Sequence, residues 1–89
     1  MQDRREQERK AREARRRWIG GVIQEWRADA EMTREQLAAR VGVCLATIVR
    51  WEHGMMDPRA YELEKLEAVH PGLVTALFPA ARARHRRAS

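Results

Sequence analysis

The sequence predicts an all-α domain of five helices, preceded by a charged helical extension and followed by a basic tail. Three observations predict it. Between Trp18 and Phe78 apolar residues recur at spacings of three and four, the period of a helix with one buried side. Glycine, proline and capping residues interrupt that pattern at regular short intervals. Nowhere do apolar and polar residues alternate as they would along a half-buried strand.

A chain of 89 residues holds one small domain with a modest core, and an elaborate active site is not expected. Its single cysteine, Cys44, has no partner for a disulfide and no second thiol for a zinc site, which suits a reducing cytosol. No apolar run approaches the roughly 20 residues that span a bilayer. The charged N-terminus lacks the apolar stretch of a signal peptide.

Charge is unevenly placed within the formal total of +5. Residues 1–17 carry seven Arg and one Lys against four acids, a net +4, and residues 80–89 add four Arg. The stretch 18–79 has six basic and nine acidic residues, a net −3. The expected organisation is a basic arm over 1–17, a domain over 18–79 and a basic tail over 80–89. Both basic ends suggest a polyanionic partner, whereas the middle is mildly acidic.

The arm QDRREQERKAREARRR has no proline or glycine, and Ala11 and Ala14 are its only apolar side chains. It can form helix without a side to bury. Support is expected from acid-first pairs four apart, Glu6/Lys10, Glu8/Arg12 and Glu13/Arg17, each contributing about 0.2–0.5 kcal/mol.

From Trp18 an amphipathic helix follows on Ile19, Val22, Ile23 and Trp26, ending near Ala30. Gly20 and Gly21 inside it each cost roughly 1 kcal/mol relative to Ala, which points to close approach of a neighbouring backbone. Thr33 and Gln36 form a capping box for a second helix on Leu37, Ala38 and Val41, closed by Gly42. Only Val43 and Cys44 precede a third helix, Leu45 to about His53, closed by Gly54. The spacing leaves Asp57 as N-cap and Pro58 as first residue of a fourth helix, on Tyr61, Leu63, Leu66 and Val69. After Pro71-Gly72, Leu73, Val74, Leu77 and Phe78 make a fifth, short helix.

Two short helices crossing steeply over a glycine form a helix-turn-helix, in which the second can project because the first crosses behind it. The segments IGGVIQEWR, TREQLAARVGV, TIVRWEHG and DPR resemble, in order and without gaps, the lambda-repressor and Cro-like helix-turn-helix family over Ile19 to Leu66. The resemblance implies a five-helix bundle that docks on operator DNA, in a bacterial, phage or plasmid setting. It implies a structural salt bridge between Arg27 and Glu52. It assigns Arg34 and Arg59, at the starts of the second and fourth helices, to phosphate contacts.

On a wheel at about 100° per residue, Ile48, Trp51 and Glu52 of the third helix point inward, and Ala46 and Arg50 point away. The family's base-facing positions fall on Cys44, Leu45, Ala46, Thr47 and Arg50. Most of these are polar in a typical member. Here Cys44 stands where Ser or Thr usually caps the helix, a loss of about 1 kcal/mol in cap strength. With Leu45, Ala46 and Val49 unable to hydrogen bond, base reading rests on Arg50 to guanine and on apolar contacts to thymine methyls.

Other conspicuous residues read as structural. Trp18, Trp26, Trp51 and Tyr61 sit at core spacings, and the acids of the fourth helix read as an exposed side. His53, His70 and His85 lack company at ligand spacing, and no cofactor motif, metal site or catalytic constellation is expected. The leading expectation is a sequence-specific transcriptional regulator, a small repressor binding a palindromic operator as a homodimer. The fifth helix or the charged arm would supply the dimer contact. The rivals are a helix-turn-helix scaffold serving as a protein adaptor or antitoxin-like partner, suggested by Leu45, Ala46 and Val49, and an architectural binder driven by the basic ends.

Overall fold

The computed structural model describes residues 3–79. The basic tail, with its four arginines and His85, lies outside the described residues. Among the described residues the chain forms α1 (Arg4–Asp29), α2 (Arg34–Val41), α3 (Leu45–Glu52), α4 (Ala60–Val69) and α5 (Leu73–Leu77), with no strand.

Charged arm and first bundle helix are one element: α1 runs unbroken for 26 residues, capped by the Asp3 carboxylate on the Arg5 amide at 3.1 Å. The expected boundary at residue 17 thus falls inside a helix. Continuity follows from composition, since nothing between Arg4 and Trp18 breaks a helix or withdraws a backbone donor. Of the anticipated pairs along the arm, only Glu6 to Lys10 is made, at 3.9 Å. Glu8 instead turns to Arg4 and Glu13 to Arg9, at 3.8 and 4.0 Å. Glu8 and Glu13 each have basic residues one turn away on both sides, and such exposed pairs are too weak to fix one choice.

The core is built around α3, whose Ile48 and Trp51 are fully buried. Ile19, Val22 and Ile23 of α1, Leu37, Ala38 and Val41 of α2, Leu66 of α4, and Leu73 and Leu77 of α5 close around them. Helix α1 packs on α3 and α5, α2 on α3 and α4, and α4 on α5. Burying a side chain of the Leu, Ile or Val class contributes about 1.5–3 kcal/mol.

The two adjacent glycines of α1 divide in role. A Cβ on Gly20 would collide with the Trp51 carbonyl oxygen and come within 2.8 Å of that of Glu52. Gly20 is therefore where the end of α3 lies directly on α1. A Cβ on Gly21 would meet nothing within 4 Å, so the close approach expected of both holds for one.

The start of α4 differs from its expected form. Arg59, not Asp57, is the N-cap, and Pro58 is buried ahead of the helix. Asp57 is drawn away by two guanidinium groups of α1, Arg15 at 2.9 Å and Arg16 at 3.7 Å. Glu62 supplies the missing partner, its carboxylate accepting from the Arg59 amide at 2.8 Å.

Glu62 is accordingly buried, and Glu67 accepts from the amides of Gly72 and Val74 at 2.7 and 3.0 Å. The acids of α4 are therefore more than an exposed side, since Glu67 holds the turn into α5. Those two amides keep its carboxyl below the usual range. Two aromatic residues also depart from expectation. Trp18 is 51 % exposed, its indole donating to the Leu77 carbonyl at 3.1 Å, and Tyr61 is half-exposed beneath the Lys65 ammonium. Trp51 is a core residue and Trp26 packs at its margin.

Candidate nucleic-acid interface

The segment from Thr33 to Glu52 places one helix behind another through local chemistry. Thr33 and Gln36 cap α2 reciprocally, the Thr hydroxyl accepting from the Gln36 amide at 3.0 Å and the Gln oxygen from the Thr33 amide at 2.8 Å. At the other end Gly42 takes a left-handed φ of 83°, a conformation that costs a residue with a Cβ, and its amide closes on the Ala38 carbonyl. The chain leaves α2 sharply and enters α3 two residues later.

Helix α3 has two unlike sides. Ile48, Trp51 and Glu52 are buried. Cys44, Leu45, Ala46 and Arg50 are exposed, and Thr47 and Val49 are partly so. Leu45 is 41 % exposed, leaving a large apolar side chain in water at the helix start. The anticipated base-facing positions are thus on the accessible side, with Thr47 least available. Its hydroxyl lies 3.2 Å from the Cys44 sulfur.

Cys44 is the N-cap, as its position suggests, and its side chain accepts no capping hydrogen bond. The Thr47 hydroxyl beside it holds the thiol below its ordinary pKa. A sulfur accepts poorly from an amide, so the start of α3 is weakly closed.

Beneath the exposed side sits a charge cluster. Glu52, its side chain wholly buried, accepts from Arg27 through both oxygens, Nε to Oε2 at 2.7 Å and Nη2 to Oε1 at 3.1 Å. Arg27 also donates to the Met32 carbonyl at 3.0 Å. Arg34 adds a third bond, Nε to Oε1 at 2.8 Å. Burial disfavours the charged carboxylate, yet the hydrogen bonds and charges of the two arginines outweigh it and hold Glu52 below the usual range. The Glu52 hydrogen bond likewise raises Arg27.

Arg34 is therefore a structural partner as well as a candidate phosphate contact. Eighteen positions separate it from Glu52, and no helical spacing could have linked them. Its amide and the outer part of its guanidinium remain at the start of α2, where a helix N-terminus favours anions. Arg59 is exposed at the start of α4, with its own amide taken by Glu62. Sequence reasoning missed the link from Arg15 and Arg16 to Asp57, which fixes the base of the arm to the segment between α3 and α4.

His70 is partly buried beside Trp26, with ring centroids 6.1 Å apart. Burial, with a smaller effect of Arg40, pushes it below its ordinary pKa. Among the described residues no three His, Cys, Asp or Glu side chains come together as metal ligands, and no helix is long and apolar enough to cross a membrane.

A helix-turn-helix family model matches residues 23–71, which run from within α1 past the end of α4 and include the whole of α2, turn and α3. The chain belongs to the lambda-repressor-like helix-turn-helix family. Membership makes this helix-turn-helix protein a DNA-binding regulator, and it accounts for the five-helix bundle around Trp51. The match leaves out the first turns of α1, with the basic arm, and α5. Curated protein sequences and solved structures gave no match.

Proposed function

We propose that the protein is a sequence-specific transcriptional repressor that sets α3 into the major groove. One observation carries this reading: α3 is fixed through Ile48, Trp51 and Glu52, while Leu45, Ala46 and Arg50 on its other side are free to meet base edges. Arg50 supplies the hydrogen-bonded contact, with both acceptors of a guanine. Leu45 and Ala46 pack against thymine methyls, and Cys44 and Thr47 stand at the groove edge. Arg34 and Arg59 meet phosphates through the starts of α2 and α4, which positions the domain without choosing sequence.

One domain of this size covers a single half-site. The protein accordingly acts as a homodimer on a palindrome, with α3 helices about 34 Å apart, in the cytosol. It needs no cofactor for this.

Selection of bound sequences from random duplexes tests the reading, since a single symmetric motif is expected. In fluorescence anisotropy Arg50→Ala should lower affinity for the selected site by about 1–3 kcal/mol and leave non-specific affinity nearly unchanged. Equal loss on all duplexes, or none, defeats the base-reading role of Arg50. A second reading, a protein-binding scaffold, is favoured by the exposed Leu45 and part-exposed Val49. It predicts no selected motif and a stoichiometric protein partner lost on Leu45→Asp.

A further inference from the structure

We propose that the first three turns of α1 are a rigid rail for the phosphate backbone of duplex DNA, with Arg5, Arg9 and Arg12 as its contacts. The proposal rests on the DNA-binding reading and extends it to a surface outside the residues matched by the family.

Arg5, Arg9, Arg12 and Arg16 recur at spacings of four, three and four. At 3.6 residues per turn they lie within about 60° of one another, in one stripe along α1. The same stripe continues into Ile19 and Ile23, which are buried in the core. The arginines therefore lie on the side of α1 on which the bundle sits, not on the opposite one. Glu6, Glu8 and Glu13 flank the stripe, and Ala11 and Ala14 fall on the far side.

The base of this helix is fixed. Arg15 hydrogen-bonds Asp57 at 2.9 Å, Arg16 pairs with it at 3.7 Å, and a Cβ on Gly54 would lie 3.3 Å from Arg17, so the segment after α3 is held directly against α1. A continuous helix with a clamped base projects its charges at a set angle from the bundle. Arg16 is engaged by Asp57, which leaves Arg5, Arg9 and Arg12 toward solvent. Arg9 is held only by exposed contacts of 3.6 Å to Glu6 and 4.0 Å to Glu13. Neither Arg5 nor Arg12 is within ion-pair distance of an acid among the described residues.

A polyanion is the occupant this surface fits. Between Arg5 and Arg16 the stripe has no apolar residue, so this part of it cannot form the seam by which a second helix or a second copy would pack. Residues 1–17 use seven arginines and one lysine, and the guanidinium fork bonds phosphate through two parallel hydrogens. From Arg5 to Arg12 the free part of the stripe is about 10 Å long at 1.5 Å per residue. That matches about three base pairs of duplex at 3.4 Å each.

The experiment is a salt titration of the full chain on a labelled duplex of about 30 base pairs carrying the selected site, with wild type compared to Arg5→Ala/Arg9→Ala/Arg12→Ala. Alanine keeps α1 helical, and a circular dichroism melt checks that both proteins are folded. Each phosphate contact contributes about 0.9 to the slope of log affinity against log salt, so the slope should fall by about 2.7. Raising salt fourfold should then cost the variant about 40-fold less affinity than it costs wild type. Unchanged slopes with retained site selection overturn the rail and leave the docking of α3 intact. A reduced slope on every duplex, with no site selected by either protein, supports the rail and removes the base-reading role of α3. A variant that changes oligomeric state in sedimentation, with an unaltered slope, identifies the arm as a protein contact and overturns the proposal.

Discussion

Replacing Gly20 and Gly21 with alanine, one at a time, separates helix propensity from packing at the contact that carries α3. Both glycines lie in the interior of α1, so each substitution gains about 0.8–1 kcal/mol of propensity. At Gly21 nothing opposes the gain, because a Cβ there meets no atom within 4 Å. Gly21→Ala should stabilise by nearly 1 kcal/mol and raise Tm by about 4–8 °C, the shift expected of a domain this size. At Gly20 the new methyl collides with the backbone carbonyl of Trp51 and crowds that of Glu52 at 2.8 Å. These oxygens end a helix and cannot swing aside like a side chain, so overpacking of about 1–3 kcal/mol applies, toward its upper end. Net destabilisation of about 1–2 kcal/mol should follow, with Tm lowered by roughly 4–16 °C. Urea unfolding followed by tryptophan fluorescence gives both values, with equal m-values confirming that the unfolded states match. Subtracting one variant from the other cancels propensity and isolates the packing contribution. Differences below about 0.5 kcal/mol would show that the end of α3 does not rest on Gly20, and the placement of α3 would need another cause.

Three further outcomes are expected. Cys44→Ser should stabilise by up to about 1 kcal/mol, because a hydroxyl accepts from the amides of α3 where the thiol does not; an unchanged urea midpoint counts against the weak-cap account. Glu52→Gln should destabilise by about 3–5 kcal/mol, since it leaves two guanidinium groups beside a neutral, partly unpaired amide; equilibrium unfolding measures it, and a loss under 1 kcal/mol contradicts the buried cluster. Stability should fall on acidification in two stages. His70 is held below its ordinary 6.5, so the folded state binds fewer protons than the unfolded one, and its contribution is complete above 6.5 and lost as pH falls below it. Glu52 and Glu67, both held below their ordinary 4.5, follow as pH drops through their folded values. The first stage should vanish in His70→Gln, and a profile unaltered by that change assigns it elsewhere.

The residues that were legible in the sequence act over short distances. The capping box of Thr33 and Gln36, the left-handed Gly42, the unsatisfied cap at Cys44 and the inward side of α3 all follow from neighbours within one helical turn. Arg27 and Glu52 were found through family resemblance, because spacing says nothing about a pair 25 residues apart. The same distance hid Arg34, the third member of that cluster, and the attraction of Asp57 to Arg15 and Arg16 over some 40 positions. Asp57-Pro58 is a sound local signal for a helix start. It lost to a tertiary ion pair once Glu62 could cap the helix instead. Trp18 and Tyr61 were misread for a related reason, since periodicity marks a side of a helix without revealing how far a five-helix bundle covers it.

The cluster at Glu52 ties the end of α3 to two other helices. Glu52 is the last residue of α3, Arg27 belongs to α1 and Arg34 opens α2, so one buried carboxylate joins three helices behind the exposed side of α3. Gly20 brings the α3 carbonyls onto α1 at the same end. At the opposite end Cys44 leaves the start of α3 loosely capped. The end of α3 that carries Arg50 is thus tied to α1 and α2, whereas its start, with the exposed Leu45 and Ala46, has no side-chain cap. In the proposed complex an arginine held from behind suits bidentate reading of one base, and a pliable apolar start suits methyl contacts, which need less exact geometry. Strengthening the cap should accordingly stabilise the free protein while altering Leu45-side discrimination more than that of Arg50, a difference that Cys44→Ser measured on selected sites with single thymine changes can detect.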